Sequence, residues 1–267
     1  MSRLDRELVE RELIATRSRA AREIAAGRVS VNGHTVSKPS QLVSDSDELS
    51  VTEPDPWVAR SAHKLLGALE SFSIDDVTGL TALDAGASTG GFTQVLLHRG
   101  AAEVWAVDVG HDQFDAGLRE DPRIHVREGL NLRELADSDV PQVDLVVADV
   151  SFISLRLLLA PLLAATRPTG ELLLMVKPQF ELARGALDKH GVVATATKRR
   201  RALDSVLAGI SEHEARVTDI APSVLPGPSG NREYFLRVRP GKTRTESDRL
   251  NEADIETHLD QIMRGEP

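Results

Sequence analysis

The sequence predicts an α/β protein: a doubly wound, mostly parallel sheet of seven strands behind a small N-terminal α+β module. Three observations predict it. From "TALDAG" to "REYFLRVR", seven short apolar runs recur, most of them separated by helical stretches. Runs such as "ELLLMVK" are continuously apolar rather than alternating, as in strands covered on both faces. Residues 1–52 have a different texture, with short elements and many arginines, and the polar, proline-rich "TEPDPW" at 52–57 separates them from the longer remainder of the chain.

Taken in order, residues 3–26 carry two helical patterns. Leu4, Leu8 and Leu13 with Ile14 mark one apolar face, Thr16 is placed to cap a second helix, and Gly27 is placed to end it. "RVSVNGHTV" alternates around Asn32-Gly33, a hairpin signal, and "DELSV" at 47–51 reads as a further short strand. Past the linker, "SAHKLLGALESF" predicts a helix with Leu65, Leu66, Leu69 and Phe72 inward. Strands follow at "TALDAG", "EVWAVDVG", "RIHVRE", "VDLVVADV", "ELLLMVK", "EARVTDIA" and "REYFLRVR". The last connection, "PSVLPGPSGN", holds no helix, so the final strand is expected to return antiparallel to its neighbour. Leu250, Ile255, Leu259, Ile262 and Met263 predict a short amphipathic helix in the tail. The expected division is 1–52, a linker at 53–60, a large domain at 61–243 and a tail at 244–267.

Composition sets the bounds. A chain of 267 residues, 41% hydrophobic and 27% charged, is long enough for ample core. It has no cysteine, which excludes disulfides and thiolate metal sites; no metal is expected. The charged N-terminus lacks a signal-peptide core, and no apolar stretch approaches the roughly 20 residues of a membrane span. A soluble, cytoplasmic protein without membrane attachment is expected. Net charge is −9, yet residues 11–38 carry Arg11, Arg17, Arg19, Arg22, Arg28 and Lys38 against only Glu12 and Glu23. The local excess matters more than the total for a polyanionic partner. A second basic run, "KRRR" at 198–201, reads first as a solvated helix face.

Five features carry chemistry. "LDAGASTGGFT" at 83–93 is a strand, a glycine-rich turn and a helix; Gly86, Gly90 and Gly91 let backbone approach a nucleoside-like ligand. No GK[ST] follows, which excludes a P-loop. Asp108, at the tip of the next strand, is placed to accept from two ribose hydroxyls, or to cap a turn. Asp149 ends the fourth strand and Lys177 the fifth; Glu233 opens the last. With that last strand antiparallel, Asp149, Lys177 and Glu233 converge on one sheet edge. Singly each is ordinary; two acids and a lysine beside a cofactor turn are not.

With those residues in place, a resemblance emerges. Lys64 in "SAHKL", Asp149 in "ADVSFISL", Lys177 in "VKPQFE" and Glu233 in "GNREYF" resemble the Lys-Asp-Lys-Glu tetrad of FtsJ-like ribose 2′-O-methyltransferases. The N-terminal "RLDRELVERELIATRSRAAREIAAGRVSVNG" resembles an S4 RNA-binding domain. The two together, with "PWVARSAHKL" and "GPSGNREYF", are similar to the TlyA family of haemolysin-like rRNA methyltransferases over nearly the whole chain.

The resemblance implies a Rossmann-like, seven-stranded class I methyltransferase sheet using S-adenosylmethionine. It implies a cofactor pocket of Asp84, Gly86, Ala87, Ser88, Gly90, Gly91, Phe92, Asp108, Asn131 and Asp149, and catalysis by Lys64, Asp149, Lys177 and Glu233. It implies methylation of cytidine 2′-hydroxyls in 23S rRNA and, from the length and tail, in 16S rRNA, with capreomycin-type susceptibility as a consequence. Arg17, Arg19, Arg22 and Arg28 would meet ribosomal RNA or a subunit, and a monomer is expected. The chain departs from the family pattern at "VGHDQFDAG", at "EGLNLR" (which keeps Asn131) and at "HGVV". These departures fall around the adenine side and a surface loop. The competing readings are a non-catalytic ribosome-assembly factor, which has little need of four tetrad residues, and a membrane-lysing protein, which needs an insertion segment.

Overall fold

A computed structural model of the chain describes residues 2–52, 55–243, 248 and 250–265. The parts of the expected linker and tail at 53–54, 244–247, 249 and 266–267 lie outside the described residues. The chain divides into two compact units, 1–56 and 57–267.

In the first unit, β1 (Ser2–Arg3) leads into α1 (Leu4–Glu10) and α2 (Arg17–Ala25). Then come β2 (Val29–Val31), β3 (His34–Thr35), β4 (Leu42–Val43) and β5 (Leu49–Val51). Thr16 caps α2 by accepting from the Arg19 N–H, and Gly27 (φ 70°) follows its end, as expected. Asn32 and Gly33, at φ 51° and 77°, turn the hairpin of a three-stranded sheet ordered β3-β2-β5. The pairing of β1 with β4 has no counterpart in the sequence pattern; two-residue strands carry too little periodicity to read. The helical face fails at Leu13. Helix α1 stops at Glu10, Glu12 turns the chain at φ 58°, and Leu13 is left 43% exposed while Ile14 turns inward. Leu4, Leu8, Ala20, Ile24, Val29 and Val43 complete a separate small core.

The second unit opens with α3 (Ser61–Ser71), β6 (Thr81–Ala85), α4 (Gly91–His98), β7 (Glu103–Asp108), α5 (Ala116–Arg119) and β8 (Ile124–Glu128). It continues with β9 (Val143–Ala148), α6 (Leu159–Ala164), β10 (Thr166–Val176), α7 (Pro178–Glu181), α8 (Ala196–Glu212), β11 (Ala215–Pro222), β12 (Tyr234–Pro240) and α9 (Glu252–Arg264). The seven-stranded sheet has the order β11-β12-β10-β9-β6-β7-β8. β12 is antiparallel to both neighbours, as the helix-free connection before it predicts. Strand β10 starts five residues before the apolar run, because Thr166 already pairs with Val143; a bulge then resets the register at Glu171 opposite Leu145.

Continuous apolar strands follow from a sheet covered twice. Leu172, Leu174 and Val176 face one core with Leu162 of α6, Val206 of α8 and Leu259 of α9. Leu173 and Met175 face the other with Leu65 and Leu69 of α3 and Val95 of α4. The parallel strands therefore all end at one edge, the edge at which such sheets place their sites.

Candidate active site

The glycine-rich turn after β6 is fixed from below. Asp84 is fully buried; its Oδ2 accepts from the Thr93 N–H at 2.8 Å and the Thr93 hydroxyl at 2.7 Å. Its Oδ1 has no hydrogen-bond partner among the described residues, and burial pushes the carboxyl up to about 7. Gly86 sits at φ 87°, and a Cβ there would come 3.0 Å from the Asp149 carbonyl oxygen. Any side chain would thus both strain the backbone and prise apart the loops that follow β6 and β9. Gly90 and Gly91 serve a different end. A Cβ on Gly90 would press on Leu118 and Phe114, and one on Gly91 would run into Ser61, so both permit close packing of α4.

Asp108 ends β7 and accepts from the Ser88 N–H at 2.9 Å and the Gly110 N–H at 2.7 Å. Beside it lies a cavity of about 580 Å³ bordered by Gly86, Ser88, Asp108, Asn131, Asp149 and Phe152. Asn131 also caps the short 3₁₀ turn after β8 by accepting from the Arg133 N–H at 3.1 Å. Ala87 and Phe92 line a smaller cavity of about 170 Å³, shared with Asp84, Asp149, Ser151 and Lys177. Of the cofactor-pocket residues expected from the sequence, Gly90 and Gly91 line neither cavity.

At the same sheet edge two lysine–carboxylate pairs form. Lys64, on the buried face of α3, donates to Glu233 Oε2 at 2.5 Å, with side chains 8% and 1% exposed. Glu233 reaches this edge because Tyr234, the first residue of the antiparallel β12, pairs with Val176, the last of β10. Lys177 Nζ lies 2.6 Å from Asp149 Oδ1 as a contact of charges, while its hydrogen bond goes to Ser151 Oγ at 2.7 Å. Pro178 occupies the first turn of α7, so it starts a helix as well as ending the strand. Gln179 reaches Glu233 Oε1 at 3.5 Å. A cavity of about 810 Å³ opens outward from Lys177, Gln179 and Glu233 toward Phe152 and Phe180.

Ser151, Phe152, Gln179 and Phe180 are not distinguished by sequence reasoning, although they lie inside the informative stretches "ADVSFISL" and "VKPQFE". A small polar or aromatic residue after a strand gives no signal on its own. Their importance comes from the crossing of the β9 and β10 loops, where the Phe152 and Phe180 rings sit 5.2 Å apart. Glu181 pins that crossing by accepting from the Ser154 hydroxyl and the Leu155 N–H, at 2.6 Å and 2.7 Å. Burial holds its carboxyl above the usual range.

The candidate RNA-facing arginines are all in the first unit. Arg17 pairs with Asp5 at 3.0 Å, Arg28 pairs closely with Glu23, Arg19 lies 4.0 Å from the same Glu23, and Arg22 is exposed. The "KRRR" run is not a uniform solvated face. Arg199 is 3% exposed and donates to the Val193 carbonyl, while Arg200 binds Asp204, Glu256 and Asp260. Among the described residues no helix is long and apolar enough to cross a membrane, and no cluster of acids and histidines is arranged for a metal.

Comparison with known proteins agrees with this geometry. Residues 57–239 match the FtsJ-like methyltransferase family, and residues 2–49 match the S4 domain. The chain is 46% identical to the 16S/23S rRNA (cytidine-2′-O)-methyltransferase TlyA of Mycobacterium tuberculosis, covering 93% of this chain and 91% of that one. It is 35% identical to Hemolysin A of Brachyspira hyodysenteriae, over 87% of this chain and 98% of that one. A solved protein from Streptococcus thermophilus that also carries a hemolysin name superposes with a TM-score of 0.68 at 32% identity, covering 100% of this chain and 98% of that chain.

Proposed function

Since the chain belongs to the TlyA family of FtsJ-like methyltransferases with an S4 domain, we propose that it methylates cytidine 2′-hydroxyls of 23S and 16S rRNA, using S-adenosylmethionine. The observation that carries this reading is the pair of lysine–carboxylate contacts between a nucleoside-sized cavity and an open one.

The residues suit the donor. Gly86 leaves room that a Cβ would fill, and Asp108 presents a carboxylate to the cavity wall for ribose hydroxyls. The buried, unpartnered Asp84 Oδ1 is an acceptor suited to the amino group of the donor's methionine end. Asn131 and Leu132 border the same cavity and would flank the donor's adenine. When bound, S-adenosylmethionine supplies an electrophilic methyl group on a sulfonium.

The chain's own residues then do three things. Lys177 offers a cation, at the wall of the open cavity, where the attacking 2′-oxygen gains negative charge. Asp149 holds that lysine in register. Lys64 and Glu233 form the second buried pair, which fixes the field around the reacting oxygen and keeps α3 and β12 at a constant spacing. The S4 unit supplies Arg17, Arg19, Arg22 and Arg28 for phosphate contacts, which position without reading sequence.

The test is transfer of a labelled methyl group to 30S and 50S subunits and to naked rRNA, with the modified nucleotides mapped. Methylation should appear at cytidine ribose, and Lys177→Ala should abolish it while donor affinity stays near wild type. Wild-type turnover in that variant would sink the assignment.

A further inference from the structure

The open cavity beyond Lys177 has a further wall, the loop at 187–191, which borders it together with Gln179 and Glu233. The loop closes on itself. Asp188, exposed, accepts from the His190 and Val192 N–H groups, both at 2.8 Å, and its own N–H donates to the Val192 carbonyl at 3.0 Å. Gly191 turns the chain at φ 78°. These bonds fix the shape of the loop but not its place.

The place is set at Val193, which is 2% exposed. A buried peptide needs partners for both its polar groups. Here two side chains supply them. The Val193 N–H donates to Asn231 Oδ1 at 2.9 Å, and the Val193 carbonyl accepts from Arg199 at 3.2 Å. Asn231 also donates to the Gly191 carbonyl at 3.0 Å. Both side chains are 3% exposed. Arg199 lies in the first turn of α8, the end of a helix dipole that disfavours a cation, and burial adds a desolvation cost. One arginine of "KRRR" thus turns inward against two opposing effects, toward the loop that walls the cavity. The same hold reaches Glu233. Asn231 stands two residues before it, the Gly227 N–H donates to the Asn231 carbonyl at 2.8 Å, and a Cβ on Gly227 would come 2.6 Å from Glu233 Oε1.

Resting on the function proposed above, we propose that Arg199 is a positioning residue for the RNA substrate. With Asn231 it hangs the loop at 187–191 as a preformed wall of the cavity that receives the target nucleotide. A wall already in place spares the RNA the cost of ordering it on binding. The donor side is bordered by none of these residues, so the effect falls on RNA and not on S-adenosylmethionine.

The experiment is steady-state methylation of rRNA at saturating donor with wild type, Arg199→Ala, Arg199→Lys and Asp188→Ala. Donor binding by calorimetry, run in parallel, reports the folded fraction. Arg199→Ala should raise KM for rRNA by about tenfold, the scale of one lost hydrogen bond to a charged group, with kcat within about twofold of wild type. Arg199→Lys, which keeps a cationic donor, should recover part of that loss. Asp188→Ala loosens the loop from the solvent side and should raise KM in the same direction with the folded fraction unchanged. An arginine needed only for stability would lower the folded fraction and kcat and leave KM alone; that result overturns the proposal. A KM within about twofold of wild type in Asp188→Ala overturns it as well. Should Arg199→Ala fail to fold, Arg199→Lys and Asp188→Ala decide on KM. Failure of the wild type to methylate rRNA would overturn the underlying function instead, so the two failures are distinguishable.

Discussion

Lys64 and Glu233 meet at 2.5 Å with almost no water around either, so each is tolerable only because of the other. Glu233→Ala leaves a buried cation alone and should cost about 3–5 kcal/mol of stability. Glu233→Gln keeps an acceptor and should cost less; urea denaturation of both variants checks the order. Asp84 is governed by a different effect. Its carboxyl is raised to about 7 by burial, above the ordinary aspartate value. The folded state therefore holds that proton more tightly than the unfolded one, and its contribution to stability is full below about pH 4. That contribution is lost as pH rises through about 7. Asp84→Asn should abolish this slope, so wild type should lose stability relative to the variant between those limits; paired thermal melts across pH measure it. Residues such as Asp84 and Lys177 are legible in the sequence because a charge inside an apolar run is conspicuous. Ser151 is not, because its meaning depends on Lys177, 26 residues away.

Helix α9 is held in place by two kinds of contact, and magnitudes rank them. Arg200 of α8 reaches Asp260 at 2.6 Å and also Glu256, but those acids are 53% and 59% exposed. Such pairs contribute about 0–1 kcal/mol each. Leu259 is 0% exposed, and truncating a buried leucine costs about 2–5 kcal/mol. Leu259→Ala should therefore lower the melting temperature well beyond Arg200→Ala; equal shifts would show that charge, not packing, holds the helix. The spacing of Leu250, Ile255, Leu259 and Ile262 foretells such a face. At the other end of the chain the same periodicity misleads, since Leu13 continues the helical spacing while Glu12 turns the backbone at φ 58°. A single residue in the left-handed region leaves no trace in hydrophobic pattern. The long strands are easier to read, because burial on both faces writes an unbroken apolar run.

For the whole molecule, a net charge of −9 disfavours contact with a polyanion except where arginines gather. Affinity for rRNA should then fall steeply with salt, while affinity for S-adenosylmethionine changes little; filter binding and calorimetry over a salt series separate the two. The order of the sheet has a consequence for time as well as space. Strand β12 inserts between β10 and β11, so the last strand to be synthesised fills an interior position rather than an edge. Until it does, β10 presents the unpaired backbone of 172–176 to any passing strand, and Lys64 waits without Glu233, a partner 169 residues downstream. A nascent chain emerging from the ribosome therefore carries three of the four charged residues long before the set is whole. The buried Lys64–Glu233 pair and the protection of that strand arrive together, in the same pairing event.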